Sequence, residues 1–131
     1  NWPNSGEIDV LEHVGFEEGH IVSSVHNIAH HGDLSRSDQT KYIVAKNVVN
    51  SFNDYVLEWD EKEIKTFINE KLIFSYPKNE QPWERWPFDE KFHFILNIAI
   101  GGNWGGMKGI DDTAFPTRME IEHFRVYKKQ I

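Results

Sequence analysis

Three carboxylates fall within six residues, at Glu7, Asp9 and Glu12. Carboxyl groups set this close suit two kinds of chemistry. In glycoside hydrolysis one attacks as nucleophile and a second, kept protonated, acts as general acid. In a metal site the same groups serve as oxygen ligands. Like charges this near raise one another's pKa and oppose folding. A solvated edge strand has little use for Glu-x-Asp-x-x-Glu flanked by Ile8 and Val10, so the spacing favours function.

A β-strand positions such a row because side chains alternate faces with a period of two. Glu7 and Asp9 then share one face, and Ile8 and Val10 point to a core. Strict alternation would send Glu12 to the core side. A β-bulge with Val10 and Leu11 opposite one partner residue returns Glu12 to its companions, and bulges recur beside active sites because they re-aim a side chain.

The 131 residues suit one domain with a real core. A net charge of −7 argues against nucleic acid and against heavily sulfated glycans, and favours a neutral partner. There is no cysteine, hence no disulfide framework and no thiol chemistry. No stretch resembles a signal peptide or a membrane span.

Along the chain, Glu17-Glu18-Gly19 reads as a turn. His20 to His26 alternates, with Ile21 and Val25 on one face and Val22, Ser24 and His26 on the other. Paired with the acidic strand as a hairpin, it would bring His26 near the carboxylates. The loop from His30 to Ser35 reads as solvated rather than as a metal cluster. Lys41 to Lys46, Phe52 to Asp60, Glu63 to Asn69 and Leu72 to Phe74 read as short strands, the last three as successive hairpins. Prolines make 77–87 a loop. Phe92 to Ile100 is the clearest alternating run, with Asn97 opposite the row of Phe92, Phe94, Leu96, Ile98 and Ile100. The loop 101–106, rich in glycine, follows it, and a last strand is expected from Arg118 to Lys128. Many short strands and no helix-period segment indicate an all-β sandwich. Trp59, within a strand, is expected in the core. Trp2, Trp83, Trp86 and Trp104 lie in loops, where binding residues concentrate.

The run Trp2-Pro3-Asn4-Ser5-Gly6-Glu7-Ile8-Asp9-Val10-Leu11-Glu12-His13-Val14-Gly15 resembles the signature of family 16 glycoside hydrolases. The extra residue before Glu12 resembles its bulged branch, nearest to laminarinase-type endo-β-1,3-glucanases. The resemblance implies a concanavalin A-like jelly roll whose concave sheet forms a glycan cleft. It makes residues 1–131 the C-terminal portion of the catalytic domain, incomplete at the N-terminus. It implies that Glu7 is the nucleophile, Glu12 the acid/base and Asp9 the helper, with Trp2, His26, Asn97, Asn103 and Trp104 as substrate-binding candidates.

The activity so implied is internal, retaining hydrolysis of β-1,3-glucan or mixed-linkage β-glucan, by a secreted, periplasmic or cell-surface protein. No nucleic acid or membrane partner is expected. Association with a missing N-terminal segment or a second copy is expected if the apolar sheet edge lacks a partner. The alternatives are a non-catalytic β-glucan-binding sandwich, a hydrolase of another algal polysaccharide such as agarose, and a metal-dependent hydrolase. No cofactor is expected. Many members of the family carry calcium with an aspartate of the last strand contributing. Here that place reads Glu122-His123, so no bound metal is predicted.

Overall fold

In a computed structural model that describes residues 1–32, 38–45 and 47–128, the chain folds as two units, Asn1–Phe94 and Ile95–Ile131. Among the described residues, every paired strand lies in the first unit. Strands β1 (Glu7–Glu12), β2 (His20–His26) and β3 (Thr40–Val44) form one antiparallel sheet in that order. Strands β4 (Tyr55–Trp59), β5 (Glu63–Ile68) and β6 (Lys71–Pro77) form a second. The strand expected over Lys41 to Lys46 is thus Thr40–Val44, with Lys46 outside the described residues, as are Asp33, Leu34 and Ser35.

The sheets stack because β2 turns an apolar face to the second sheet. Its Ile21 and Val25 are buried against Ile64 and Ile68 of β5 and Ile73, Phe74 and Tyr76 of β6. Burying each large apolar side chain is worth about 1.5–3 kcal/mol. One polar tie crosses this core. The Ser23 hydroxyl donates to the Asp9 carbonyl at 2.9 Å and lies 2.8 Å from the Thr66 hydroxyl, so Thr66 is the donor between the two. The second sheet also carries a bulge. Thr66 pairs with Phe74 and Phe67 with Leu72, which leaves Ile73 extra and turns both Ile73 and Phe74 inward. The β5–β6 hairpin turns at Asn69 and Glu70, whose φ values of 46° and 67° fit the primed turn that matches strand twist.

An aromatic plug closes the core. Trp86, only 2% exposed, stacks on Tyr76 at 5.7 Å and meets Phe88 edge-on at 5.3 Å. The Trp86 indole N–H donates to Asp89 at 3.0 Å. Trp86 is therefore an anchor of the fold rather than an exposed binding residue. Trp59, expected inside, is 36% exposed. Its indole N–H donates to the Phe88 carbonyl at 2.9 Å, and its ring meets the edge of Phe92 at 5.1 Å.

The plug also explains Gly6. Its φ is +72°, and a Cβ there would sit 2.7 Å from Pro87 Cγ and 3.0 Å from Phe88 Cε1. Neither ring yields easily, and L side chains rarely adopt that backbone region. Gly6→Ala should therefore lower the unfolding free energy by about 2 kcal/mol or more. Denaturant melts measure this, and an unchanged midpoint would contradict the crowding.

Two expected strands do not form. Phe92 packs against the core, but residues 93–100 form no paired strand. Ile95, Leu96, Ile98 and Ile100 are exposed. Arg118 to Lys128 likewise forms no strand, with Met119, Ile121, Phe124 and Val126 exposed. The reason is common to both. Alternation chooses a face, but a strand also needs neighbours to take its backbone N–H and C=O groups. Among the described residues no strand pairs with either run. The second unit instead contains turns over 101–108 and a short 3₁₀ helix, Asp112–Ala114, capped by Asp111. No helix among the described residues is long and apolar enough to cross a membrane.

Candidate active site

The β1–β2 register builds the site. Glu7 pairs with His26 and Asp9 with Ser24, and pairing resumes at Glu12 with Val22. Val10 and Leu11 therefore oppose Ser23 alone, which is the bulge expected from the sequence. Directly paired residues in an antiparallel sheet share a face. Glu7, Asp9, Glu12, Ser24 and His26 accordingly gather on the face away from the second sheet.

The polar contacts bear this out. The His26 Nε2–H group donates to Asp9 Oδ2 at 3.2 Å. The Gly32 N–H donates to His26 Nδ1 at 3.3 Å, so in the neutral ring the proton sits on Nε2. Asp9 raises the pKa of His26 through this hydrogen bond; burial opposes it, and the charges of Asp9, Glu7 and Glu12 add to it. The Ser24 hydroxyl, fully buried, lies 3.2 Å from Asp9 Oδ2 and 3.3 Å from Glu12 Oε2.

Glu12 carries the largest perturbation. Burial first, then the charge on Asp9 and more weakly that on Glu7, push its carboxyl up to about 7, while His26 and Ser24 pull it down. A carboxyl held protonated near neutrality is the acid that a glycosidic oxygen needs.

Trp2 closes the other end. The turn before β1 is tied by Ser5 N–H to the Asn1 carbonyl at 3.2 Å and by Gly6 N–H to the Pro3 carbonyl at 3.0 Å. It folds the indole back so that Nε1–H donates to Glu7 Oε2 at 2.6 Å. The ring is 54% exposed, and His31 meets it edge-on at 5.1 Å. His31 Nδ1–H in turn donates to the Asn27 carbonyl at 3.3 Å. Asn27 is fully buried; its side-chain amide donates to the Arg85 carbonyl at 3.0 Å and its Oδ1 accepts from His30 N–H.

The structure therefore brings together Glu7, Asp9, Glu12, His26 and Trp2. Asn97, Asn103 and Trp104 belong to the second unit. Asn97 and Asn103 are exposed there and Trp104 is half-buried. The strand expected to carry Asn97 is not formed among the described residues. The glycines beside Trp104 have a local reason. A Cβ at Gly105 would lie 2.8 Å from the Gly101 carbonyl and one at Gly106 2.7 Å from that of Gly102, so the loop's own backbone demands them. Ser24, His31 and Gly32 were not among the site residues expected from the sequence; the last two fell in the loop read as solvated. The i, i+2 spacing of Ser24 and His26 was the available signal for the first.

Glu7, Asp9 and His26 each offer a ligand atom, all within 4.8 Å of one another, close enough to share a cation. Glu7 Oε2 and Asp9 Oδ2 already accept hydrogen bonds from Trp2 and His26, which suits a proton-handling site.

Comparison with known proteins adds a third line. The family model described as Glycosyl hydrolases family 16 matches residues 1–123. The chain is 38% identical over 132 residues to the "Beta-glucanase" of Rhodothermus marinus, covering 97% of this chain and 46% of that protein. It is 31% identical over 142 residues to "Glucan endo-1,3-beta-glucosidase A1" of Niallia circulans, covering 98% of this chain and 20% of the other. The solved structure of the laminarinase from Rhodothermus marinus superposes with a TM-score of 0.81 at 39% identity, covering 88% of this chain and 47% of that one. The fold is thus the all-β jelly roll of these laminarinases, and the chain spans at most about half the length of the curated relatives it matches.

Proposed function

We propose, from the premise that this chain belongs to glycosyl hydrolase family 16, that it carries the catalytic motif of an enzyme cleaving β-1,3-glucan or mixed-linkage β-glucan internally, with retention of configuration. The observation that carries this reading is the bulged register, which sets Glu7, Asp9 and Glu12 on one face with His26 and Ser24 beneath them. The chain's relatives, a β-glucanase and a glucan endo-1,3-β-glucosidase, support the substrate class.

Glu7 attacks the anomeric carbon while the protonated Glu12 gives its proton to the departing glycosidic oxygen. A covalent glycosyl ester on Glu7 results. Glu12, now a carboxylate, takes a proton from water as the water oxygen attacks the same carbon and releases Glu7. Trp2 holds the Glu7 carboxylate by its N–H and offers an exposed indole to a sugar ring. Asp9, held by His26, keeps a negative charge beside Glu12 and so helps keep the acid protonated. Asn97, Asn103 and Trp104, in the second unit, remain substrate-binding candidates on the family resemblance alone. Such polymers do not cross membranes, so the protein works outside the cytoplasm, secreted, periplasmic or at the cell surface.

The test is laminarin hydrolysis followed by proton NMR from the first seconds. The β-anomer should appear first and mutarotate later. First release of the α-anomer would overturn retention. Binding of laminarin without release of reducing ends would favour the non-catalytic sandwich.

A further inference from the structure

Ser24 stands between the two carboxylates that differ most in task. Its hydroxyl is within hydrogen-bond reach of both Asp9 Oδ2 and Glu12 Oε2, at 3.2 and 3.3 Å, and no part of the residue is exposed. A serine hydroxyl has one proton and two acceptor lone pairs. It donates to only one of the two oxygens at a time, but it can accept from a neighbour that is itself protonated. The register fixes it there. Ser24 is the direct partner of Asp9, and the bulge carries Glu12 back to within its reach.

We propose that Ser24 is a positioning residue whose hydroxyl turns between Asp9 and Glu12 as Glu12 loses and regains its proton. This rests on the assignment of Glu12 as acid/base. With Glu12 protonated, Ser24 donates to Asp9 and its lone pairs face the Glu12 carboxyl group. When Glu12 gives its proton to the leaving oxygen, Ser24 O–H swings to the new carboxylate. Asp9 is not stranded, because His26 Nε2–H still donates to it. When Glu12 takes a proton from the attacking water, Ser24 swings back. No proton passes through Ser24; only its O–H direction changes. Each protonation state of Glu12 thus finds a partner without movement of the backbone.

The groups that face Glu12 are Glu7 and Asp9 from β1, His26 from β2 and, by its charge coupling to Glu12, Tyr42 from β3. Ser24 gives Glu12 an uncharged hydrogen-bond partner. Its loss removes a donor from ionised Glu12 and leaves those charges in place.

The test uses Ser24→Ala and Ser24→Thr in the intact protein, with laminarin kcat/KM measured across pH. The alanine variant should lose about tenfold in kcat. Its basic limb should move up by roughly one pH unit, since ionised Glu12 has lost its donor. The threonine variant, which keeps the hydroxyl, should restore both. An alanine variant whose basic limb stays in place overturns the proposal, whatever its kcat. So does a folded threonine variant with the alanine profile. Should threonine not fold at this buried site, the limb of the alanine variant decides alone. Glu12→Gln run in parallel separates the two assignments. If it keeps full activity, the acid/base assignment falls. If it is inactive and the limb of Ser24→Ala has not moved, only the Ser24 inference falls.

Discussion

Glu7→Gln should lower laminarin kcat by roughly four orders of magnitude or more, with glucan affinity kept within a few fold. The amide occupies nearly the same volume as the carboxylate but carries no charge and has no nucleophilic oxygen, so no glycosyl ester forms. The indole of Trp2 loses little, because the glutamine carbonyl oxygen can accept the same N–H that Glu7 Oε2 accepts at 2.6 Å. The fold should survive, since Glu7 is only partly buried and no core contact depends on it. Rapid-quench turnover and equilibrium binding of a laminari-oligosaccharide separate the two effects. A variant that still turns over at a tenth of the wild-type rate would remove Glu7 as nucleophile. Glu7→Ala adds a chemical check. It opens a space where the carboxylate stood, on the face of the sugar opposite the leaving group. Azide entering there should give the α-glycosyl azide, because a single displacement inverts configuration.

How far this site was legible in sequence follows from what fixes each part. The bulge was legible because three carboxylates and two apolar residues allow one register that spares both core and charge. The expectation that a hairpin brings His26 near the carboxylates followed from the alternation of β2, and the structure sets it 3.2 Å from Asp9. The hairpins of the second sheet were legible for the same reason, that local alternation and turn residues agree. Residues 93–100 show the opposite case. Their alternation is the cleanest in the chain, yet no strand pairs with it among the described residues, because pairing is a property of two segments and a pattern describes one. Trp86 and Trp2 mark another limit. Both lie in loops beside proline, but one is buried against Tyr76 and the other stands over Glu7. Sequence places each in a loop; only the packing of Phe88 and the turn at Asn1–Gly6 decides which faces inward. His31 was read as solvated, and its contact with Trp2 depends on Asn27, whose bonds reach to Arg85 far along the chain.

Glu12→Gln should separate two steps that Glu7→Gln stops together. Glutamine cannot donate an acidic proton, so laminarin turnover should fall by about 10²–10⁴-fold. A substrate with an acidic phenol as leaving group needs no such proton, and its first step should proceed at nearly the wild-type rate. The glycosyl ester on Glu7 should then accumulate, because no base remains to activate water. Azide needs no base and should restore turnover with release of the β-glycosyl azide. Equal losses on both substrates, or no rescue, would sink the assignment. The pH dependence follows from the same group. Wild-type activity on laminarin should decline as pH rises through about 7, where Glu12 loses its proton, and the variant should lack that limb. The same substitution should raise stability above neutrality. The folded protein holds the Glu12 proton more tightly than the unfolded chain, because burial and Asp9 raise the carboxyl from 4.5 to about 7. Stability present below about 4.5 is therefore lost as pH rises through that window. Glutamine does not ionise and escapes the loss. At pH 8 the variant should be more stable than the wild type by about 1–2 kcal/mol, a figure reduced for solvent screening of a partly exposed group. At pH 4 the two should melt together. A variant that is inactive on laminarin, yet harder to unfold above neutrality, is what an acid held protonated against its own folding cost requires.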